Sequence, residues 1–224
     1  LKNEIENLFS ENPDEINFPD VILWKPTIVV ELKNSGYHIL QGKLTEKHLE
    51  IILQFQRKEN KVEIPKVVFH QQITKEEYLN QVTQIKQEIQ LGNVYELNFC
   101  QQYLTRNVPK FDSIALFQQL NRLTQAPFSA YLNLENHEIF CGSPERFLQQ
   151  KESTLISQPI KGTIRRGNNE TEDDFLKIKL QQDPKERAEN IMITDLVRND
   201  LSKIAQKNSV KVEELCGIYT FGTV

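Results

Sequence analysis

Hydrophobic positions recur along this chain with two different periods, and each change of period marks a predicted element. Residues 21–32, VILWKPTIVVEL, set β-branched residues around Pro26 and read as strand, Pro-interrupted strand or sheet edge. An Asn-Ser-Gly turn at 34–36 leads into a second strand, YHILQG. Over 43–58 the period lengthens: Leu44, His48, Ile51, Ile52 and Phe55 fall at helical spacing. KENKVEIPK then reads as a turn or linker, which suggests an N-terminal portion, 1–66, and a second portion, 67–224. VVFHQQI is a strand candidate. Thr74 with Glu77 forms a capping box, and Tyr78, Val82, Ile85 and Ile89 continue one helix face to Gly92.

Strict alternation returns in VYELNFCQQYLT, with Val94, Glu96, Asn98 and Cys100 opposite Tyr95, Leu97, Phe99 and Gln101. The face carrying Glu96 is partly polar and is expected to look at a cleft. Asp112 and Ser113 start a helix through Leu116, Phe117, Leu120 and Leu123. From Pro127 to Thr163, short strand patterns are separated by Glu-Asn, Ser-Pro and Gly turns, the texture of antiparallel sheet and not of a βαβ array. Residues 173–204 are predicted helical with Pro184 near the start of the longer part, and VKVEELCGIYTF has strand-like alternation. Phe128, Tyr131 and the single Trp24 read as core residues, and the fold class is α+β.

Composition narrows the partners. The 224 residues carry 27 Lys+Arg against 31 Asp+Glu, a formal charge of -4. With a pI near 5.7 the chain lacks the basic excess that counterion release from nucleic acid requires. No stretch approaches the roughly 20 apolar residues of a membrane span. The start, LKNEIENLFSENPDEINF, is acidic where a secretory signal is basic and then apolar, so a cytoplasmic location is expected, although a sequence opening at Leu1 leaves a lost leader open. Cys100, Cys141 and Cys216 are far apart, lack CxxC spacing and are expected to be reduced thiols.

Two segments concentrate candidate chemistry. PIKGTIRRG, 159–167, joins Lys161, Arg165 and Arg166 with Gly162, Thr163 and Gly167. Glycines let backbone N–H groups approach an anion, a hydroxyl adds a donor and the cations neutralise charge; a solvated basic turn reads equally well. The spacing is not that of a phosphate P-loop. In PKERAENIMITDLVRND, at about 100° per residue, Glu189 falls inside the apolar arc of Met192, Ile193, Leu196 and Val197, with Glu186 on its edge. A carboxylate there is expected to be paired, with Arg187, Arg198 or a distant lysine, to be protonated, or to bind a hard cation such as Mg²⁺. Glu145 of SPERF reads by itself as a surface turn carboxylate. His38, His48, His70 and His137 show no ligand or triad spacing, and GxSxG is absent.

PFSAYL (127–132), SPERF (143–147), PIKGTIRRG (159–167) and ERAENIMITDLVRND (186–200), in this order, resemble the chorismate-utilising enzymes, most nearly their aminodeoxychorismate branch. The similarity covers about residues 75–224. It implies a layered sandwich of mainly antiparallel sheets with outer helices, of the anthranilate synthase component I type, with the site in a cleft between sheets. It also implies conversion of chorismate and ammonia to 4-amino-4-deoxychorismate for para-aminobenzoate and folate, the ammonia coming from a glutamine amidotransferase subunit. By the same resemblance Lys161 matches the nucleophile that displaces the 4-hydroxyl, its reactivity raised by crowding beside Arg165 and Arg166. Glu145 matches the general acid, Gly162 and Thr163 the pair holding a substrate carboxylate, and Glu189 with Glu186 the Mg²⁺-binding helix. Pro127, Phe128 and Ser129 match a segment that lines a tryptophan pocket in some members.

The pattern also departs from the family. Glu96 stands where a glutamine is usual and where isochorismate and salicylate synthases carry a lysine, which argues against water addition and leaves its own role open. Family members continue beyond TFGTV with an HL motif, a GAPK loop, an arginine and a second Mg²⁺ glutamate, so the sequence is expected to be a fragment holding part of an active site. Anthranilate synthase component I, for which alanine at the position of Lys161 would be usual, and a non-catalytic chorismate- or tryptophan-binding module are the rival readings.

Overall fold

In the computed structural model the described residues are 12, 14–34, 36–57 and 64–224, with side chains of 54–57 excluded. Most of the acidic start, Ser35 of the first predicted turn, the side chain of Phe55 on the first predicted helix face and most of the KENKVEIPK linker lie outside them.

Antiparallel pairing dominates, and almost all of it is local. Strand β1 (Val29–Lys33) pairs with β2 (Gly36–Gln41), β5 (Phe128–Leu134) with β6 (His137–Ser143), and β7 (Arg146–Lys151) with β8 (Thr154–Gln158). Among the described residues, only β3 (His70–Gln71) and β4 (Tyr103–Leu104) pair across a long separation, in two-residue strands. The predicted strands at 67–73 and 94–105 are therefore much shorter than their alternation suggests, and VKVEELCGIYTF forms none. Alternation allows a strand but cannot supply its ladder partner.

The helices follow their caps. Helix α1 spans Glu46–Arg57, α2 Lys75–Gln90, α3 Ser113–Thr124, α4 Glu170–Gln182 and α5 Pro184–Ser202. At α2 the Thr74 hydroxyl accepts from the Glu77 amide at 3.2 Å while Glu77 accepts from the Thr74 amide at 2.7 Å, the expected reciprocal box. Asp112 caps α3. One residue, Asp183, closes α4 and caps α5, accepting from the amides of Lys185 and Glu186 with Pro184 in the first turn.

Packing gathers where α3 lies on the β5–β6 hairpin. Tyr131 and Phe140 are cross-strand partners with ring centroids 5.2 Å apart, Phe117 of α3 stacks on Tyr131 at 6.0 Å, and Ala115 is buried beneath. Leu176, where α4 packs on α5, is the other buried apolar residue among those described. Trp24, expected in a core, is 60% exposed: its segment precedes β1 and joins no sheet. The result is a mixture of helices and small antiparallel sheets, an α+β chain, with no described helix long and apolar enough to cross a membrane.

Candidate functional site

The β7–β8 hairpin is tied at its open end by Arg146, whose Nε donates to Gln158 at 2.7 Å, and delivers the chain into 159–167. Glu145 enters from the other side of that hairpin. Ser143 Oγ accepts from the Glu145 amide at 3.1 Å, and Glu145 Oε1 accepts from the Ile160 amide at 3.4 Å. The carboxylate expected in a surface turn thus lies against the residue preceding Lys161.

Lys161 is three-quarters buried, with 26% of its side chain exposed. Its Nζ lies 3.3 Å from Glu96 Oε1 and 3.5 Å from Asn98 Oδ1. Glu96 and Asn98 are two residues apart, so in extended chain they share a face. The polar side of 94–101 looks at the lysine although the segment joins no ladder there. Val94 departs from the alternation: it lines a cavity of about 440 Å³ against α2 with Leu97 and Phe99. Crowding by Arg165 and Arg166 is not what surrounds Lys161; its charged neighbour is a carboxylate.

Those two arginines are occupied by the acidic first turn of α4. Arg165 pairs with Glu172. Arg166 makes a fork with Asp173, Nε to Oδ1 at 2.8 Å and Nη2 to Oδ2 at 2.9 Å, and its Nη1 donates to the Phe221 carbonyl at 2.7 Å. Asp173 Oδ1 also accepts from the Gly167 amide, and Lys177 lies 3.2 Å from Oδ2. The Arg166 guanidinium, then the Gly167 amide, hold the Asp173 carboxyl far below the usual carboxylate range. A Cβ on Gly167 would stand 2.2 Å from the Asp173 nitrogen, so only glycine lets the loop close on this helix end. As cations for a bound anion these arginines are already engaged.

Gly162 has φ +78, and a Cβ there would stand 2.7 Å from Glu186 Oε2. The left-handed backbone conformation favours glycine, whereas the Glu186 carboxylate, the end of a flexible side chain, could move aside for a Cβ. Thr163, beside it, is exposed. Glu186 and Glu189 converge on one cation: Lys185 Nζ lies 2.9 Å from Glu186 Oε1 and 3.0 Å from Glu189 Oε1. Glu186, then Glu189, raise the Lys185 ammonium above its ordinary value. The helical projection placed Glu189 deeper than Glu186, and the structure reverses this, with side chains 42% and 24% exposed respectively. The loop at Gly162 covers Glu186, a tertiary contact no single-helix projection contains. Two carboxylates already sharing a cation fit Mg²⁺, which takes one or two carboxylates and completes its shell with substrate oxygens and water. Among the described residues, no larger group of His, Cys, Asp and Glu gathers anywhere.

The tryptophan candidates lie apart from this loop on β5 and its entrance. Phe128 carries the Arg146 guanidinium 4.6 Å above its ring, Ser129 Oγ donates to the Ala126 carbonyl at 3.0 Å, and Pro127 is exposed. Sequence reasoning did not assign Asn98 or Lys185 to the site. The two-residue spacing from Glu96 and the four-residue spacing from Lys185 to Glu189 were the available signals.

The chain is 38% identical over 152 residues to aminodeoxychorismate synthase component 1 of Klebsiella aerogenes and 39% identical over 152 residues to that of Escherichia coli (strain K12); each match takes in 68% of this chain and 33% of the relative. It is 35% identical over 151 residues to anthranilate synthase component 1 of Bacillus subtilis (strain 168), covering 67% of this chain and 29% of that protein. The chain thus spans about a third of the length of these relatives. A family described as chorismate binding enzyme matches residues 1–224. With the whole sequence inside that match, and its SPE, PIKGT and acidic-helix residues meeting at one loop, the chain belongs to the chorismate-binding enzyme family.

Proposed function

We propose that this chain carries the Lys161 part of an aminodeoxychorismate synthase component I, which converts chorismate and ammonia to 4-amino-4-deoxychorismate for para-aminobenzoate and folate synthesis. The observation that carries the reading is the convergence on residues 160–163 of an ammonium group, a carboxylic acid and an acidic helix, through Lys161, Glu145 and Glu186. Higher identity to the aminodeoxychorismate relatives than to the anthranilate ones supports it.

In this reading the Lys161 nitrogen attacks the ring as a free amine and forms the new C–N bond while the C–O bond to the 4-hydroxyl breaks. Glu145 donates its proton to the departing oxygen, which leaves as water. Gly162 and Thr163 hold a ring carboxylate on their backbone and hydroxyl donors. Glu186 and Glu189 would hold Mg²⁺, which when bound neutralises a substrate carboxylate and draws electron density from the ring. Both carboxylates approach one cation, Lys185 Nζ, which supports that assignment. We further assign residues 67–224 to the chorismate-binding part of a layered sandwich with outer helices and 1–66 to its variable portion. A glutamine amidotransferase supplies ammonia, and the setting is the cytoplasm.

Product identification tests the reading. With chorismate, Mg²⁺ and ammonium, the protein is expected to release 4-amino-4-deoxychorismate, and Lys161→Ala is expected to reduce that to background. Anthranilate as the product, or a Lys161→Ala variant with wild-type rates, refutes it.

A further inference from the structure

Lys185 stands where a helix favours no cation. It lies in the first turn of α5, at the positive end of the helix dipole, where carboxylates are stabilised and an ammonium is not. What holds its ammonium there is a pair of carboxylates, with Nζ 2.9 Å from Glu186 Oε1 and 3.0 Å from Glu189 Oε1. Glu186 and Glu189 are three residues apart, so two like charges share one helix face, and a cation between them relieves their repulsion. The arginines of the same helix do not supply it. Arg187 donates to the Gln181 carbonyl at 3.3 Å, and Arg198 to Asp195 at 2.7 Å.

We propose that Lys185 is the internal counter-ion of the Glu186–Glu189 pair and competes with Mg²⁺ for it, so that metal binding is an exchange of cations. This rests on the reading of Glu186 and Glu189 as the Mg²⁺ carboxylates. The ammonium already holds the two oxygens that face each other across the pair, and two cations drawn to the same atoms repel one another. Lys185 is able to leave. Its side chain is 68% exposed and ends a flexible four-carbon stem, so the released ammonium regains water with little apolar surface lost.

The exchange favours a divalent ion. One positive charge leaves and two arrive, so the carboxylate pair passes from half neutralised to neutral. A monovalent ion brings only the charge that was already there. Lys185 thus keeps two like charges together in the absence of metal, and it sets the Mg²⁺ affinity lower than the carboxylates alone would give.

Calorimetric titration of the whole chain with MgCl₂, without substrate and at constant ionic strength, tests this. Lys185→Met keeps the length of the side chain and removes its charge, and it should bind Mg²⁺ about three- to tenfold more tightly than wild type, the scale of two exposed ion pairs that no longer have to be broken. Lys185→Arg, which keeps the cation, should show no such gain. A merely structural lysine predicts the opposite sign, because its loss loosens the helix turn and weakens binding. Affinity in Lys185→Met equal to or weaker than that of wild type overturns the proposal, as does an equal gain in Lys185→Arg. Circular dichroism checks that the variants are folded, and Lys185→Gln, with the same expectation, replaces Lys185→Met if that variant is not. Glu189→Gln should weaken Mg²⁺ binding. If it leaves the affinity unchanged, or if wild type takes up no Mg²⁺, the carboxylate reading falls and this inference with it, whereas a weakened Glu189→Gln beside an unimproved Lys185→Met refutes the part of the lysine alone.

Discussion

Asp173 is the only charged residue that is buried among those described, and its partners, Arg166, the Gly167 amide and Lys177, are all donors. Its carboxyl titrates below its ordinary value of 3.8, so the stability it contributes is full above that value and is lost as pH falls toward the depressed one. Asp173→Asn is expected to lower the urea midpoint at pH 7, and the gap from wild type should narrow below pH 3.8. An equal gap at both pH values would show that the carboxylate charge contributes nothing. At this scale the sequence singled out these residues without their partners. Lys161, Arg165 and Arg166 are consecutive enough to read as one basic cluster, yet the arginines face the Glu172 and Asp173 side chains and the lysine faces Glu96. Glu96 and Lys161 are 65 positions apart by subtraction of their numbers, 161 − 96, and no local pattern encodes that meeting.

Elements whose signal is local were legible. The capping box at Thr74 and Glu77 and the Asp112 cap satisfy orphan amides within a few residues, and Pro184 brings no amide to satisfy, so sequence alone located those helix starts. Hairpins were legible for the same reason: Glu135 adopts φ 45 in the tight turn between Leu134 and His137. Long-range pairing was not, and β3–β4 contracts to two residues a side where two alternating stretches suggested long strands. Thr74→Ala removes the side-chain half of the α2 box and should cost about 1 kcal/mol, read as a lower denaturation midpoint. Unchanged stability would mean that α2 is held by its apolar face, where Tyr78 meets Phe99 at 5.1 Å.

Across the whole molecule, surface is the governing quantity. The accessible area is 18959 Å², whereas a compact protein of 26.2 kDa exposes roughly 10,600 Å² by the usual scaling. Leu23, Phe147, Leu91 and Val68 are among the large apolar side chains open to solvent. Because the denaturant slope follows the area newly exposed on unfolding, this chain alone should show an m value well below that of a compact protein of its length. A slope of normal size would mean that the apolar faces close in solution. Arg166 adds a constraint on the order of assembly. Its guanidinium joins the stretch carrying Lys161 to α4 and to the carbonyl of Phe221, 55 residues further on. A ribosome makes chains from the N-terminus, so the loop emerges long before the carbonyl that completes its anchoring. Until translation passes Phe221, the stretch carrying Lys161 waits on an unfinished clasp, and its surroundings mature late.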